Sequence, residues 1–245
     1  MTSLPRGFHC HVANIGVKDT SDDFVVIATD RPVPAAGVFT KSRFAGPSVL
    51  VSREHLADLQ AQAMVVVSKN ANVANGPDGL SDARELVGGV AARLGCEPED
   101  VLVASTGVIG RRYPIERIRA GVAELPPRPA GTSADDAARG IMTTDTFAKV
   151  ASADVAGSDA RVVGIAKGVG MIEPDMATMI TVLLTDAELD ASTLDAAFRR
   201  AVDRTFNCVS IDTDTSTSDT APDHSSGALL QTLLQVTILF KVIIA

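Results

Sequence analysis

The stretch VVGIAKGVGMIEPDMATMITVLLTD, residues 162–186, constrains this chain more than any other. It opens with an apolar run, 162–166, that reads as a short buried strand. Lys167, Gly168-Val169-Gly170 and the turn-prone Glu173-Pro174-Asp175 follow. A second apolar run, 180–184, ends at Thr185-Asp186. Two strands therefore flank a connection containing glycine and proline, and Met176-Ala177-Thr178-Met179 sits where it enters the second strand. Threonine after a small residue gains chemical meaning if the Ala177–Thr178 bond is cut. Thr178 would then carry both a hydroxyl and a free α-amine. Such an amine has a pKa near ~7.7–8.0 and can act as a base close to neutrality. A threonine activated by its own amine is a nucleophile that needs no histidine.

The rest of the chain alternates strand and helix patterns. Residues 6–16 and 24–29 read as strands around the polar turn 18–23, and 31–34 breaks the pattern. Residues 36–40 form another short strand, and Val49-Leu50-Val51 begins the next. A short helix over 53–61 has Ser52 as its cap, and 63–68 is a buried strand. Asn70-Ala71-Asn72-Val73-Ala74-Asn75-Gly76 is a loop suited to left-handed backbone. Residues 81–94 form a helix capped by Ser81 and stopped by Gly95. The apolar run 101–104 delivers Ser105-Thr106-Gly107. That pattern either ends a strand or presents a hydroxyl and backbone N–H groups to a developing oxyanion. Pro114 opens a helix over 115–125. A short helix over 135–142 leads into Thr143-Thr144-Asp145-Thr146, which is either a local turn or a set of groups for a substrate amide and carboxylate. Residues 189–204 form an amphipathic helix capped by Asp190 or Ser192. Residues 206–211 read as a strand. The polar run 212–220 is either a loop or a cation site.

These motifs carry a resemblance. GIAKGVGMIEPDMATMITVLLTDA resembles the self-cleavage and nucleophile segment of the ornithine acetyltransferase (glutamate N-acetyltransferase) family. NANVANG, STGVIGRRYP, IMTTDT and RTFNCVSIDTDTSTSDT match the same family in the same order, over residues 5–221. The resemblance implies a mixed α/β (α+β) fold of layered sheets and helices, of the self-cleaving N-terminal-nucleophile type. It implies cleavage into an α chain, 1–177, and a β chain that starts at Thr178, with the two associated and further oligomerised. It implies transfer of acetyl from N2-acetylornithine to glutamate through an acetyl-Thr178 ester, with no cofactor. Thr106 and Gly107 become the oxyanion donors. Lys167, Thr178 and either Thr143 or Thr144 become substrate contacts. A hydrolase or aminopeptidase using water as acceptor, and an inactive truncated chain, stand as alternatives. Arg111-Arg112 and KGVGMIEPDMAT resemble the branch found in clavulanic-acid clusters, and that role and arginine biosynthesis both stay open. Residues 222–245 match nothing in the family on this reading, which suggests a truncated or frame-shifted end.

Composition narrows the setting. The net charge of −8, with no basic run interleaved with aromatics, argues against partners such as nucleic acid or an anionic membrane. The apolar tail is short and interrupted for a membrane span. Three scattered cysteines, with no CxxC pair and no secretory signal, read as small core residues in a reduced cytoplasmic protein. The four histidines show no metal spacing, so no metal is expected.

Overall fold

The computed structural model describes residues 1–169 and 179–208, and the backbone of 220–223. The strands β1 (His9–Ala13), β2 (Phe24–Pro34), β4 (Gln60–Val67) and β5 (Val101–Ser105) form one sheet, in the order β1-β2-β4-β5. The strands β3 (Ala36–Phe39), β6 (Lys149–Asp154), β7 (Arg161–Lys167), β8 (Ile180–Thr185) and β9 (Thr220–Asp223) form a second, in the order β3-β9-β8-β7-β6. Two pairings are parallel, β4 with β5 and β8 with β9; the others are antiparallel.

The period-two alternation of each strand decides the layering. In the first sheet, Val25, Ile27, Met64, Val66, Leu102 and Ala104 point toward the second sheet. They meet Val163 and Ile165 of β7 and Ile180, Val182 and Leu184 of β8. The opposite residues, Phe24, Val26, Val65, Val67, Val101 and Val103, pack on α2 (Gly76–Leu94) and α3 (Ile115–Glu124). Beyond the second sheet, Val162, Ala166 and Leu183 pack on Leu194, Phe198 and Val202 of α5 (Ala191–Arg204). The result is helix, sheet, sheet, helix. Strands buried on both faces must be apolar throughout, which is why 63–67 and 162–166 read as unbroken runs. Each fully buried Leu, Ile or Phe contributes about 1.5–3 kcal/mol of burial.

Several expectations fail for local reasons. Residues 49–51 are no strand; they lie in α1 (Pro47–His55), with Pro47 in its first turn. Ser52 is inside this helix and caps nothing. Its hydroxyl donates to the Val103 carbonyl at 2.7 Å and accepts from the Val103 amide at 2.6 Å. His55 Nδ1 meets the Val101 carbonyl at 2.9 Å. Helix α1 thus covers the open edge of β5 and uses backbone groups that an edge strand leaves exposed. Packing on that edge outweighs the β-propensity of Val49-Leu50-Val51. Strand β2 continues through 31–34 because a register shift between Ala28 and Val33 absorbs the irregular residues. Helix α2 starts at Gly76, with a proline in its first turn, so Ser81 is internal. Residues 206–208 are a 3-10 turn where a strand is expected, and 209–219 lie outside the described residues. Strand β6 has no counterpart in the sequence reading; KVASAD alternates weakly. Cys10 is buried and Cys96 half-buried, but Cys208 is exposed, so the core reading fails for it.

Candidate active site

The carboxyl ends of β4, β5 and β7 lie at one end of the two sheets, beside the turn that joins β1 to β2. A cleft of about 920 Å³ opens there. It is lined by residues 18–22, Lys69, Thr106, Gly107, Val108, Arg139, Thr143, Thr144, Asp145 and Lys167, among others. Strand β5 delivers Thr106 and Gly107, and β7 delivers Lys167. The turn after α4 (Ala134–Gly140) delivers Thr143 to Asp145. All five sequence-predicted site residues within the described part therefore converge on one cleft. Both Thr143 and Thr144 face it. Thr178 and Ala177 lie outside the described residues. The first residues described after them, Met179 and Ile180, stand at the same end, for Ile180 opposes Lys167 across the β7–β8 ladder.

Thr106 is buried, and its backbone amide is spent on the Val67 carbonyl at 3.1 Å. Its side chain is the part available to chemistry. Lys167, also buried, donates from Nζ to Thr106 Oγ1 at 3.2 Å. That contact occupies a lone pair of the hydroxyl and leaves its proton to donate elsewhere. Gly107 has φ +131°, which favours glycine. Among the described residues its amide meets no acceptor. One hydroxyl and one N–H are thus presented side by side.

The asparagine loop holds this pair in place. Asn70 Nδ2 donates to the carbonyls of Arg111 and Arg112, both at 3.2 Å, and Asn70 Oδ1 accepts from the Asn72 amide at 2.8 Å. Asn75 Nδ2 reaches the Arg111 carbonyl at 3.0 Å. Arg112 in turn grips the buried Asp82 through two nitrogens, at 2.8 and 2.9 Å. Lys69, Asn72 and Ala74 all have positive φ. The left-handed loop expected at 70–76 is therefore present, and its amides brace the 107–112 loop. On the cleft side of the loop, Lys69 Nζ bonds Asp19 Oδ1 at 2.7 Å and Ser21 at 2.6 Å.

Asp145 corrects the reading of the TTDT motif as a whole set of ligands. Its carboxylate turns inward. Oδ1 accepts from Lys149 Nζ at 2.6 Å and from the Gly168 amide at 2.8 Å; Oδ2 accepts from the Thr143 amide at 3.2 Å. Burial pushes this carboxyl up, but the Gly168 amide, the Lys149 ammonium, the Lys167 charge and the Thr143 amide outweigh it and hold it below the ordinary carboxylate value. A depressed value stabilises the fold fully above the unfolded pKa of ~3.9, and the contribution is lost as pH falls through the folded value. The urea midpoint of the wild-type chain should therefore fall more steeply as the pH drops below the ordinary carboxylate value of ~3.9 than that of D145N/K149M. Equal slopes would contradict the pairing.

The sequence reading overlooked Lys69, the 18–22 turn, Lys149 and the inward role of Asp145. Only Lys69 had a signal, its place directly after the buried run 63–68. Burial pushes the Cys10 thiol up and the Cys96 thiol to about 11, so neither of these two is poised as a nucleophile.

The layered sheets and helices, with the cleft at one strand end, define the N-terminal-nucleophile type of fold. Residues 9–240 match the ArgJ family, so the chain belongs to it. The match runs past Ala221, where the sequence reading ended it. The chain is 55% identical over 226 residues to "Arginine biosynthesis bifunctional protein ArgJ 2" of Nostoc sp., covering 92% of this chain and 58% of that one. It is 55% identical over 225 residues to "Glutamate N-acetyltransferase Oat2" of Streptomyces clavuligerus, covering 91% and 56%. The chain thus spans little more than half the length of these relatives. The solved ArgJ of Bacillus halodurans superposes with a TM-score of 0.67 at 33% identity, over 72% of this chain and 95% of that one. Ornithine acetyltransferase from Mycobacterium tuberculosis, solved with ornithine, gives a TM-score of 0.60 at 31% identity, over 71% and 94%. Among the described residues no helix is long and apolar enough to cross a membrane.

Proposed function

We infer that this chain cleaves itself at Ala177–Thr178 and that the new amino terminus transfers acetyl from N2-acetylornithine to glutamate. The observation that carries the reading is the convergence of Thr106, Gly107, Thr143, Thr144 and Lys167 on one cleft, beside the start of β8. In self-cleavage, the Thr178 hydroxyl attacks the Ala177 carbonyl, the Ala177–Thr178 C–N bond breaks as the departing amine takes the hydroxyl proton, and water then hydrolyses the ester to leave the Ala177 carboxylate and a free Thr178 hydroxyl and amine. In transfer, Thr178 Oγ attacks the acetyl carbonyl while the α-amine takes its proton. Thr106 Oγ1–H and Gly107 N–H hold the oxyanion. Ornithine leaves with the proton, and the glutamate amine then attacks the Thr178 ester. Lys167 holds a substrate carboxylate as a point charge. No step calls for a cofactor.

Two further observations support the cut. The solved chains of the two ArgJ relatives cover 72% and 71% of this chain at 95% and 94% of their own length. Residues 1–177 make up that same share. The ladder between β7 and β8 would also hold the halves together, since six residue pairs join them across the cut. Ile180, Val182 and Leu184 stay buried among residues of the other half. We extend the reading to the α and β chains as partners in one particle, located in the cytoplasm.

The test is an intact mass and an acetyl-transfer assay on the full chain, with glutamate present and absent. Two masses summing to one water above the precursor, with product only when glutamate is present, are expected. A competent preparation with a single amino terminus at residue 1 would sink the reading. Acetyl release that ignores glutamate would favour a hydrolase.

A further inference from the structure

We propose that Asp145 is a positioning residue: through the Gly168 amide it aims Lys167 at Thr106. The proposal rests on the transfer reading for its catalytic consequence, but not for its geometry. The Gly168 N–H belongs to the same peptide plane as the Lys167 carbonyl. A bond from that N–H to Asp145 Oδ1, at 2.8 Å, therefore fixes ψ of Lys167. Gly168 itself sits at φ +148°, outside the range that side chains favour, so the chain leaves β7 in a conformation that needs holding. Lys167, thus oriented, reaches Thr106 Oγ1 at 3.2 Å. The same carboxylate takes the Thr143 amide, so the threonine turn and the exit of β7 share one anchor.

The anchor is buried, with 1% of the Asp145 side chain exposed and 3% of the Lys149 side chain. A lone buried carboxylate is costly. Lys149 neutralises it from β6, where its own backbone is fixed opposite Ala166. Lys149 thus keeps Asp145 charged in place, and Asp145 holds the Lys167–Gly168 peptide. Neither need touch substrate. Their effect on the reaction passes through Lys167 and the Thr106 hydroxyl.

The test compares two double variants of the full chain. D145N/K149M removes both charges and keeps an amide oxygen to accept from Gly168. D145A/K149M removes the acceptor as well. Lys167 is labelled with an amine-reactive reagent and its rate is read by peptide mass. Labelling should be faster in D145A/K149M than in D145N/K149M by on the order of tenfold, the weight of about one hydrogen bond. The kcat/KM for acetyl transfer should be lower in D145A/K149M by on the order of 10²-fold, as for a misplaced reacting group. Equal labelling rates in the two variants overturn the proposal. In the wild-type chain the Gly168 amide should resist hydrogen exchange, and a fast-exchanging Gly168 overturns the proposal without any variant. If transfer fails in the wild-type chain while the labelling rates still differ, the transfer reading fails and the positioning role stands.

Discussion

Replacing Thr178 by Ala should give one unbroken chain and abolish acetyl transfer. The substitution removes the only atom proposed to attack either carbonyl, that of Ala177 in the cut or that of the acetyl group in the transfer. Loss of the nucleophile in acyl transfer costs on the order of 10⁶ in kcat, which here means background. Thr178→Ser keeps the hydroxyl and should still be cut, more slowly, since the γ-methyl that narrows the rotamers of Thr178 is gone. Intact mass reads the cut and a radiolabelled acetyl donor reads the transfer. A Thr178→Ala chain that still divides at 177–178 would remove the basis for the assignment. A Thr178→Ser chain that stays whole yet transfers acetyl would show that the hydroxyl needs no new amine, and a Thr178→Ala chain that transfers acetyl would defeat the assignment outright.

The sequence exposed the sheets wherever burial on both faces forced an unbroken apolar run. Residues 63–67, 101–104, 162–166 and 180–184 are of that kind; three are interior strands, and the fourth, 101–104, is an edge strand that α1 covers. It misled at the edges. Residues 49–51 have the composition of a strand but lie in the helix that covers β5, because Ser52 and His55 find their partners on that strand. Strand β6 has alternation too weak to detect, as it forms the rim of its sheet. The cleft residues were legible through motif resemblance. What those residues bond to was not. Asp145 looks like a ligand in sequence because it sits in a polar cluster, and the asparagines read only as a loop. In space they turn inward and brace backbone, a distinction carried by contacts between residues 23 to 42 positions apart.

Gly107→Ala should cost both stability and turnover, and its two effects can be read separately. A Cβ at Gly107 would lie 2.2 Å from the Lys69 carbonyl carbon, 2.5 Å from Lys69 Cα and 2.6 Å from the Asn70 amide nitrogen. These are backbone atoms of a loop that Asn70 and Asn72 already lock, so the neighbour cannot step aside. Overpacking of this kind costs about 1–3 kcal/mol, and the positive φ adds about 1–2 kcal/mol for a residue with a side chain. The urea midpoint should fall accordingly. The chain can relieve the clash only by moving the Thr106–Gly107 peptide or the Lys69–Asn70 peptide. The first displaces the proposed oxyanion N–H, and the second shifts Lys69 in the cleft wall. Loss of one oxyanion donor lowers kcat by on the order of 10²–10³, so turnover should drop by that factor even well below the unfolding transition. Stability lost with kcat intact would mean that Gly107 is needed for close backbone approach alone. The oxyanion would then have to be held by Thr106 together with a different donor.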